Sequence, residues 1–110
     1  MKYDIILTAT FKKEAKKLIK KYPSLSNELS DLGKELQENP TKGTSLGNDV
    51  YKIRIAISSK NKGKSGGARI ISFVKIVEKT VFLVNIYSKG VRDSISSKEI
   101  SEILESENIV

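Results

Sequence analysis

At Val50 the spacing of apolar residues changes, and that change constrains the fold more than any other feature of the chain. Before it, apolar residues recur at helical spacing: Phe11, Ala15, Leu18, Ile19 and Tyr22 form one stripe, and Leu25, Leu29, Leu32 and Leu36 form another. After it, Tyr51, Ile53, Ile55 and Ile57 alternate with Lys52, Arg54 and Ala56, which gives a strand with one apolar and one cationic face. Helices followed by strands predict an α+β fold, a sheet packed against a helical layer.

Local signals mark the boundaries. A short strand is expected around Tyr3 to Leu7, and Thr10 stands where it could open the first helix, which Pro23 stops at Tyr22. Ser24 can cap the second helix, which ends before Asn39-Pro40, so the two helices form a hairpin with a connection of about two residues. Beyond the strand that begins at Val50, Ala68 to Val77 and Val81 to Tyr87 are rich in Ile, Val and Phe, with a hairpin-length connection near Glu78 to Thr80. Strands joined this way run antiparallel, predicting a mostly meandering sheet of about four strands with the hairpin on one face. Ser96 and Glu99 make a capping-box pattern, and Ile95 and Ile100 occupy staple positions, so a short final helix carries Ile100, Ile103 and Leu104. With 110 residues the chain suffices for one compact domain, residues 1–110, and is too short for two separate cores.

Charge is distributed unevenly. The net charge of +7 divides into +2 over residues 1–49, +9 over residues 50–92 and −4 over residues 93–110. No acidic residue occurs between Val50 and Val77, whereas Lys52, Arg54, Lys60, Lys62, Lys64, Arg69 and Lys75 do. Such a segment favours anionic partners, among them nucleic acid, an anionic membrane surface or an acidic protein. The six lysines of the first helix (12, 13, 16, 17, 20 and 21) suggest a nucleic-acid arm, but their helical spacing around an apolar stripe fits a solvated face better. The chain has neither Cys nor His, which excludes disulfides, thiolate metal sites and imidazole acid-base chemistry. No secretory signal or bilayer-length apolar run is evident, so a soluble cytoplasmic protein is expected. No metal or organic cofactor is indicated.

The stretch from Ser58 to Arg69 carries the most unusual chemistry. Gly63-Lys64-Ser65 resembles the end of a phosphate-binding P-loop, but Ser58 stands where the first glycine is needed and a strand follows in place of a helix. A solvated hairpin tip would explain the glycines and lysines. Against that reading, Lys52 and Arg54 point to one face about 7 Å apart by strand rise, and Arg69 opens the next strand. Cations converging without a carboxylate nearby repel one another unless an anion is bound, and a polyphosphate backbone suits them.

The order of elements, together with Tyr51-Lys52-Ile53-Arg54, Lys62-Gly63-Lys64-Ser65-Gly66-Gly67-Ala68-Arg69-Ile70-Ile71 and Val84-Asn85-Ile86-Tyr87-Ser88-Lys89, resembles the RelE/ParE superfamily of bacterial toxins, in its HigB-like branch. The resemblance implies a metal-independent endoribonuclease toxin that cuts messenger RNA in the A site of the 70S ribosome, against 16S rRNA, and is held inactive by a cognate antitoxin of helix-turn-helix type. It further implies that Lys52, Arg54, Lys64, Arg69 and Lys89 are catalytic. Lys60, Lys62, Tyr87 and Arg92 would bind RNA. Tyr87 could equally be a core edge residue, and Asp93 could neutralise Arg92.

RNA cleavage by its own 2′-hydroxyl needs a base, positive charge on the pentacoordinate phosphate and a proton for the departing 5′-oxygen. Without His, lysine is the available base, and crowding by like charges favours its neutral form. Two other readings fit the same fold: a ParE-like inhibitor of DNA gyrase without nuclease activity, and a noncatalytic RNA-binding module, which the absence of His and of any aromatic residue after Tyr87 leaves open.

Overall fold

A computed structural model describes residues 2–60, 66–90, 92 and 94–110. The described residues form a five-stranded sheet, three α-helices and one short 3-10 turn. In chain order these are β1 (Asp4–Leu7), α1 (Ala9–Lys21), α2 (Leu25–Glu38), β2 (Thr44–Gly47), β3 (Val50–Ile55), the turn Ser58–Lys60, β4 (Ala68–Lys75), β5 (Thr80–Ser88) and α3 (Ser97–Ser106). Strand order is β1-β5-β4-β3-β2. Strands β2 to β5 make an antiparallel meander, and β1 lies parallel to β5 at the far edge. The α+β expectation holds, with one strand more than the four foreseen.

The extra strand is β2. Its Thr-Ser-Leu-Gly sequence is short, exposed and without apolar alternation, so nothing in the sequence marks it. Asn48 and Asp49 both adopt positive φ, 52° and 64°, the left-handed pair that a tight two-residue hairpin requires.

Helix α1 starts at Ala9, and its cap lies two residues before the Thr10 expected to open it. Thr8 is the cap: its Oγ1 accepts from the Phe11 N–H at 3.0 Å and also lies 2.9 Å from the Val84 carbonyl, fastening the helix start to β5. The first turn of α1 has no acidic residue of its own. Glu107, just past α3, supplies one: its carboxylate accepts from the Ala9 and Thr10 N–H groups at 2.7 and 3.2 Å. Ser96 caps α3 as its sequence pattern predicts, accepting from the Glu99 N–H at 3.1 Å.

Two apolar layers sandwich the sheet. On one side α1 and α2 bury Phe11, Ala15, Leu25, Leu32 and Leu36 against Ile53, Ile70, Val81 and Ile86. On the other, α3 sets Ile100 and Leu104 against Val50, Ile71, Val84 and Tyr87. Each buried Leu or Ile stabilises the fold by about 1.5–3 kcal/mol relative to exposure. At Ile71/Ser72 the β4–β5 register slips by one residue, with Ile71 opposite Asn85 and Ser72 opposite Leu83. Val84 is the unmatched residue of that bulge, and it faces α3. No described helix is long and apolar enough to cross a membrane.

Candidate functional site

Ladder register sets out the site row by row. Arg54 of β3 lies opposite Arg69 of β4, and Arg69 lies opposite Tyr87 of β5. Residues opposite each other project from the same face, so these three form one row across the sheet. The next row is Lys52, Ile71 and Asn85, and the one after is Val50, Phe73 and Phe82. In the first two of these rows the β3 positions are cations, while α3 packs on Ile71 and Tyr87 of the neighbouring strands. Cβ atoms of an opposed pair lie about 5 Å apart, and like charges there are destabilising. The Arg54–Arg69 pair thus brings two guanidinium-bearing positions together on one row.

The cations differ in exposure. Arg54 is exposed and Lys52 half-buried, while Arg69 retains only 4% of its accessible surface and its Nη1 donates to the Ala68 carbonyl at 3.3 Å. Lys89 is half-buried, and its N–H donates to the Gly67 carbonyl at 3.1 Å, tying the end of β5 to the start of β4. Lys62 and Lys64 lie outside the described residues, and of Lys60 only the backbone is described, at the end of the 3-10 turn.

Tyr87 and Arg92 take structural positions. Tyr87 is 6% exposed and belongs to the core beneath α3. The Arg92 guanidinium sits 5.7 Å from its ring centroid and ion-pairs with Glu99 of α3. Of the two readings of Tyr87, a platform for a base or a core edge residue, its burial fits the second. Glu99 is a described partner of Arg92; Asp93, the neutralising neighbour considered above, lies outside the described residues. The hydrogen bond that Arg92 donates to Glu99 outweighs desolvation and raises the Arg92 pKa above its ordinary value. Beside this pair, α1 and α3 enclose a cleft of about 650 Å³ bordered by Lys17, Asn85, Tyr87, Arg92 and Glu102.

The base of the Gly/Lys loop is anchored from a direction that local sequence does not show. Glu28 Oε2 accepts from the Ser58 N–H at 2.8 Å and from the Ser58 hydroxyl at 2.7 Å. Ser24 Oγ accepts from the Ser59 N–H at 2.9 Å. At the loop's other end Gly67 passes so close to β3 that an added Cβ would lie 2.0 Å from the Ile55 carbonyl oxygen, so only glycine fits. Ser24 stands at the N-cap of α2 without making a side-chain cap bond there; its hydroxyl donates to Glu28 Oε1 at 3.2 Å and accepts from the loop base.

The surroundings of Arg54 also correct an expectation. Residues 50–77 lack carboxylates in sequence, but Glu28, Asp31 and Glu35 of α2 border the same depression of about 270 Å³ as Arg54. The cationic row is therefore flanked by acid on the α2 side. Chemically, the arrangement offers positive charge for a phosphate at the Arg54–Arg69 row, with Lys52 one row away on the same face.

A sequence-family profile described as the RelE toxin of the RelE/RelB toxin-antitoxin system matches residues 3–109. Among solved structures, the chain resembles an arginine-to-alanine double mutant of the Escherichia coli toxin RelE in the free state. That match has a TM-score of 0.63 and 20% identity, and covers 96% of this chain and 98% of the other. It also resembles a chain of the toxin-antitoxin complex RelBE2 from Mycobacterium tuberculosis, with a TM-score of 0.60 and 15% identity over 80% of this chain and 99% of that one. No curated protein sequence matches the chain. The two structural likenesses speak for the fold, and the profile, which spans nearly every residue, shows that the chain belongs to the RelE toxin family.

Proposed function

We propose that residues 1–110 act as one toxin domain, a metal-independent endoribonuclease of the HigB-like kind that cleaves messenger RNA in the A site of translating ribosomes and so stops translation. The observation that carries this reading is the Arg54–Arg69 pair, two like charges held opposite each other in the β3–β4 ladder with Lys52 beside them. A phosphodiester lying against this row would meet concentrated positive charge.

In the reaction, the 2′-oxygen bonds to the adjacent phosphorus and the bond from phosphorus to the 5′-oxygen breaks, leaving a cyclic phosphate and a free 5′-hydroxyl. A lysine, Lys52 or Lys64, takes the 2′-hydroxyl proton. Arg54 and Arg69 stabilise the pentacoordinate phosphate, Arg69 from a buried position where its charge is poorly screened. Lys89, at the end of β5, returns a proton to the 5′-oxygen. Lys60 and Lys62 hold the RNA backbone, and so does Arg92 once it leaves Glu99. The toxin acts in the cytoplasm, where ribosomes are, and a cognate antitoxin of helix-turn-helix type keeps it inactive.

Cleavage of messenger RNA on translating ribosomes by the wild type and by Arg69→Ala tests the reading. Loss of one charge-stabilising donor is expected to slow cleavage by about 100-fold or more. Intact messages with stalled DNA gyrase would overturn it in favour of a ParE-like inhibitor, and tight RNA binding without any cut would reduce the protein to a binding module.

A further inference from the structure

The cleft between α1 and α3 takes over where the Arg54, Arg69, Tyr87 row ends, since Tyr87 borders both. At about 650 Å³ it has the size of a small-molecule pocket. Leu18 of α1, Ile86 of β5 and Ile103 of α3 give it apolar walls. Its two cations are already matched: Lys17 pairs with Glu14 at 3.5 Å, and Arg92 pairs with Glu99. Glu102 has no ion pair among the described residues, so the cleft holds three carboxylates against two cations. A phosphate gains nothing by entering it.

Asn85 supplies the second unmatched group. Its side chain borders the cleft although the residue is only 5% exposed. A backbone N–H can only donate, so the Asn85 atom that receives the Ile86 N–H at 2.8 Å is the carbonyl oxygen. That bond fixes how the amide is turned and leaves the Nδ2 donor without a hydrogen-bond partner among the described residues. A buried donor left unpaired is costly, and the cleft is where an acceptor can reach it.

We propose that this cleft holds the base of the nucleotide on the 3′ side of the cut and selects adenine and cytosine over guanine and uracil, a proposal that rests on the endoribonuclease reading given above. The side follows from the reaction. Lys89, which serves the departing 5′-oxygen, comes directly after Ser88, and Ser88 borders the cleft. Lys52 and Arg54 stand on β3, two strands away. The choice of base follows from the two unmatched groups. On their pairing edges, adenine and cytosine present a ring-nitrogen acceptor beside an exocyclic amine, whereas guanine and uracil present a ring N–H beside a carbonyl oxygen. Asn85 Nδ2 donates to the ring nitrogen of the first two, and Glu102 accepts from their amine. Against the other two, donor faces donor and acceptor faces acceptor. The faces of the base lie on Leu18, Ile86 and Ile103.

The test gives translating ribosomes messages with one randomised codon, sequences the new ends and sorts the cuts by the nucleotide that follows. The wild type should cut before adenine or cytosine at least about tenfold more often than before guanine or uracil. Glu102→Gln, on the exposed rim, can turn its amide to donate and should bring that ratio close to one. Asn85→Asp keeps an oxygen for the Ile86 N–H and replaces the Nδ2 donor with an acceptor, so the ratio should again fall by about tenfold. The ratio compares cuts made by the same molecules, so a partly unfolded variant still reports it, and Glu102→Gln carries the test if Asn85→Asp does not fold.

A wild-type ratio of one or below, or a ratio unchanged in any variant that still cuts, would overturn the proposal and leave the endoribonuclease reading standing. So would a change confined to the nucleotide before the cut. Abolished cutting in Glu102→Gln would overturn it too, since loss of one base contact alters the choice of site and not the chemistry. No cutting by the wild type would overturn both readings.

Discussion

The two faces of the sheet are covered unequally. Two helices of 13 and 14 residues close one face, and their side chains interlock with every strand from β3 to β5 and with β1. A single helix of 10 residues covers part of the other face, leaving Lys52 and Arg54 toward solvent at the end of β3. The well-covered face sets the stability, and the incompletely covered face is free to keep charges opposed.

Leucine truncation compares the faces most directly. Leu36→Ala, at a fully buried α2 position, should cost about 2–5 kcal/mol in urea unfolding. Leu104→Ala, at the thinner α3 face where 5% of the surface is still exposed, should cost less; equal losses would show that α3 matters to the core as much as the hairpin does. Gly67→Ala comes next: the backbone must move away from Ile55, at about 1–3 kcal/mol, and a Tm unchanged from wild type would refute the close approach. Glu107→Ala removes the acceptor at the α1 N-terminus and should cost about 1 kcal/mol, read as faster amide exchange at Ala9 and Thr10.

The smallest expected effect is that of Glu99→Gln. Its ion pair with Arg92 is more than a third exposed and is worth no more than about 0.5 kcal/mol after screening. Because the folded-state Arg92 pKa is raised, its contribution is complete below the ordinary arginine value. It is lost only as pH rises through a still higher one. Stability from this arginine should therefore be flat across the neutral range, and a step there in denaturation midpoint would contradict it.

Much of the frame was legible because local periodicity and tertiary burial agree. The Leu25, Leu29, Leu32, Leu36 repeat and the Ile53, Ile55, Ile57 alternation each name a face that the structure buries or half-buries. Ser96 announced α3 in the same way. The order β1-β5, parallel and joined across most of the chain, could not be read, since nothing near Ile5 names Val81 as its partner. Strand β2 was missed because Thr44, Ser45 and Gly47 have no apolar rhythm.

At the site, strand parity was enough to put Lys52, Arg54 and Arg69 on one face. The expectation of a carboxylate-free surface failed at Glu28, Asp31 and Glu35, which are distant in sequence and near in space. Tyr87 was ambiguous for the same reason: an aromatic at a strand end is a platform or a core residue according to what lies over it, and Arg92 and α3 do.

The contact between Glu107 and the start of α1 spans 98 residues, and β1 waits on β5 across a similar interval. During synthesis at about 5–20 residues per second, the first helix therefore spends roughly 5–20 seconds without its carboxylate, and the first strand waits nearly as long for its neighbour. The start of the fold is therefore secured by segments made late in synthesis, β5 for the first strand and Glu107 for the first helix.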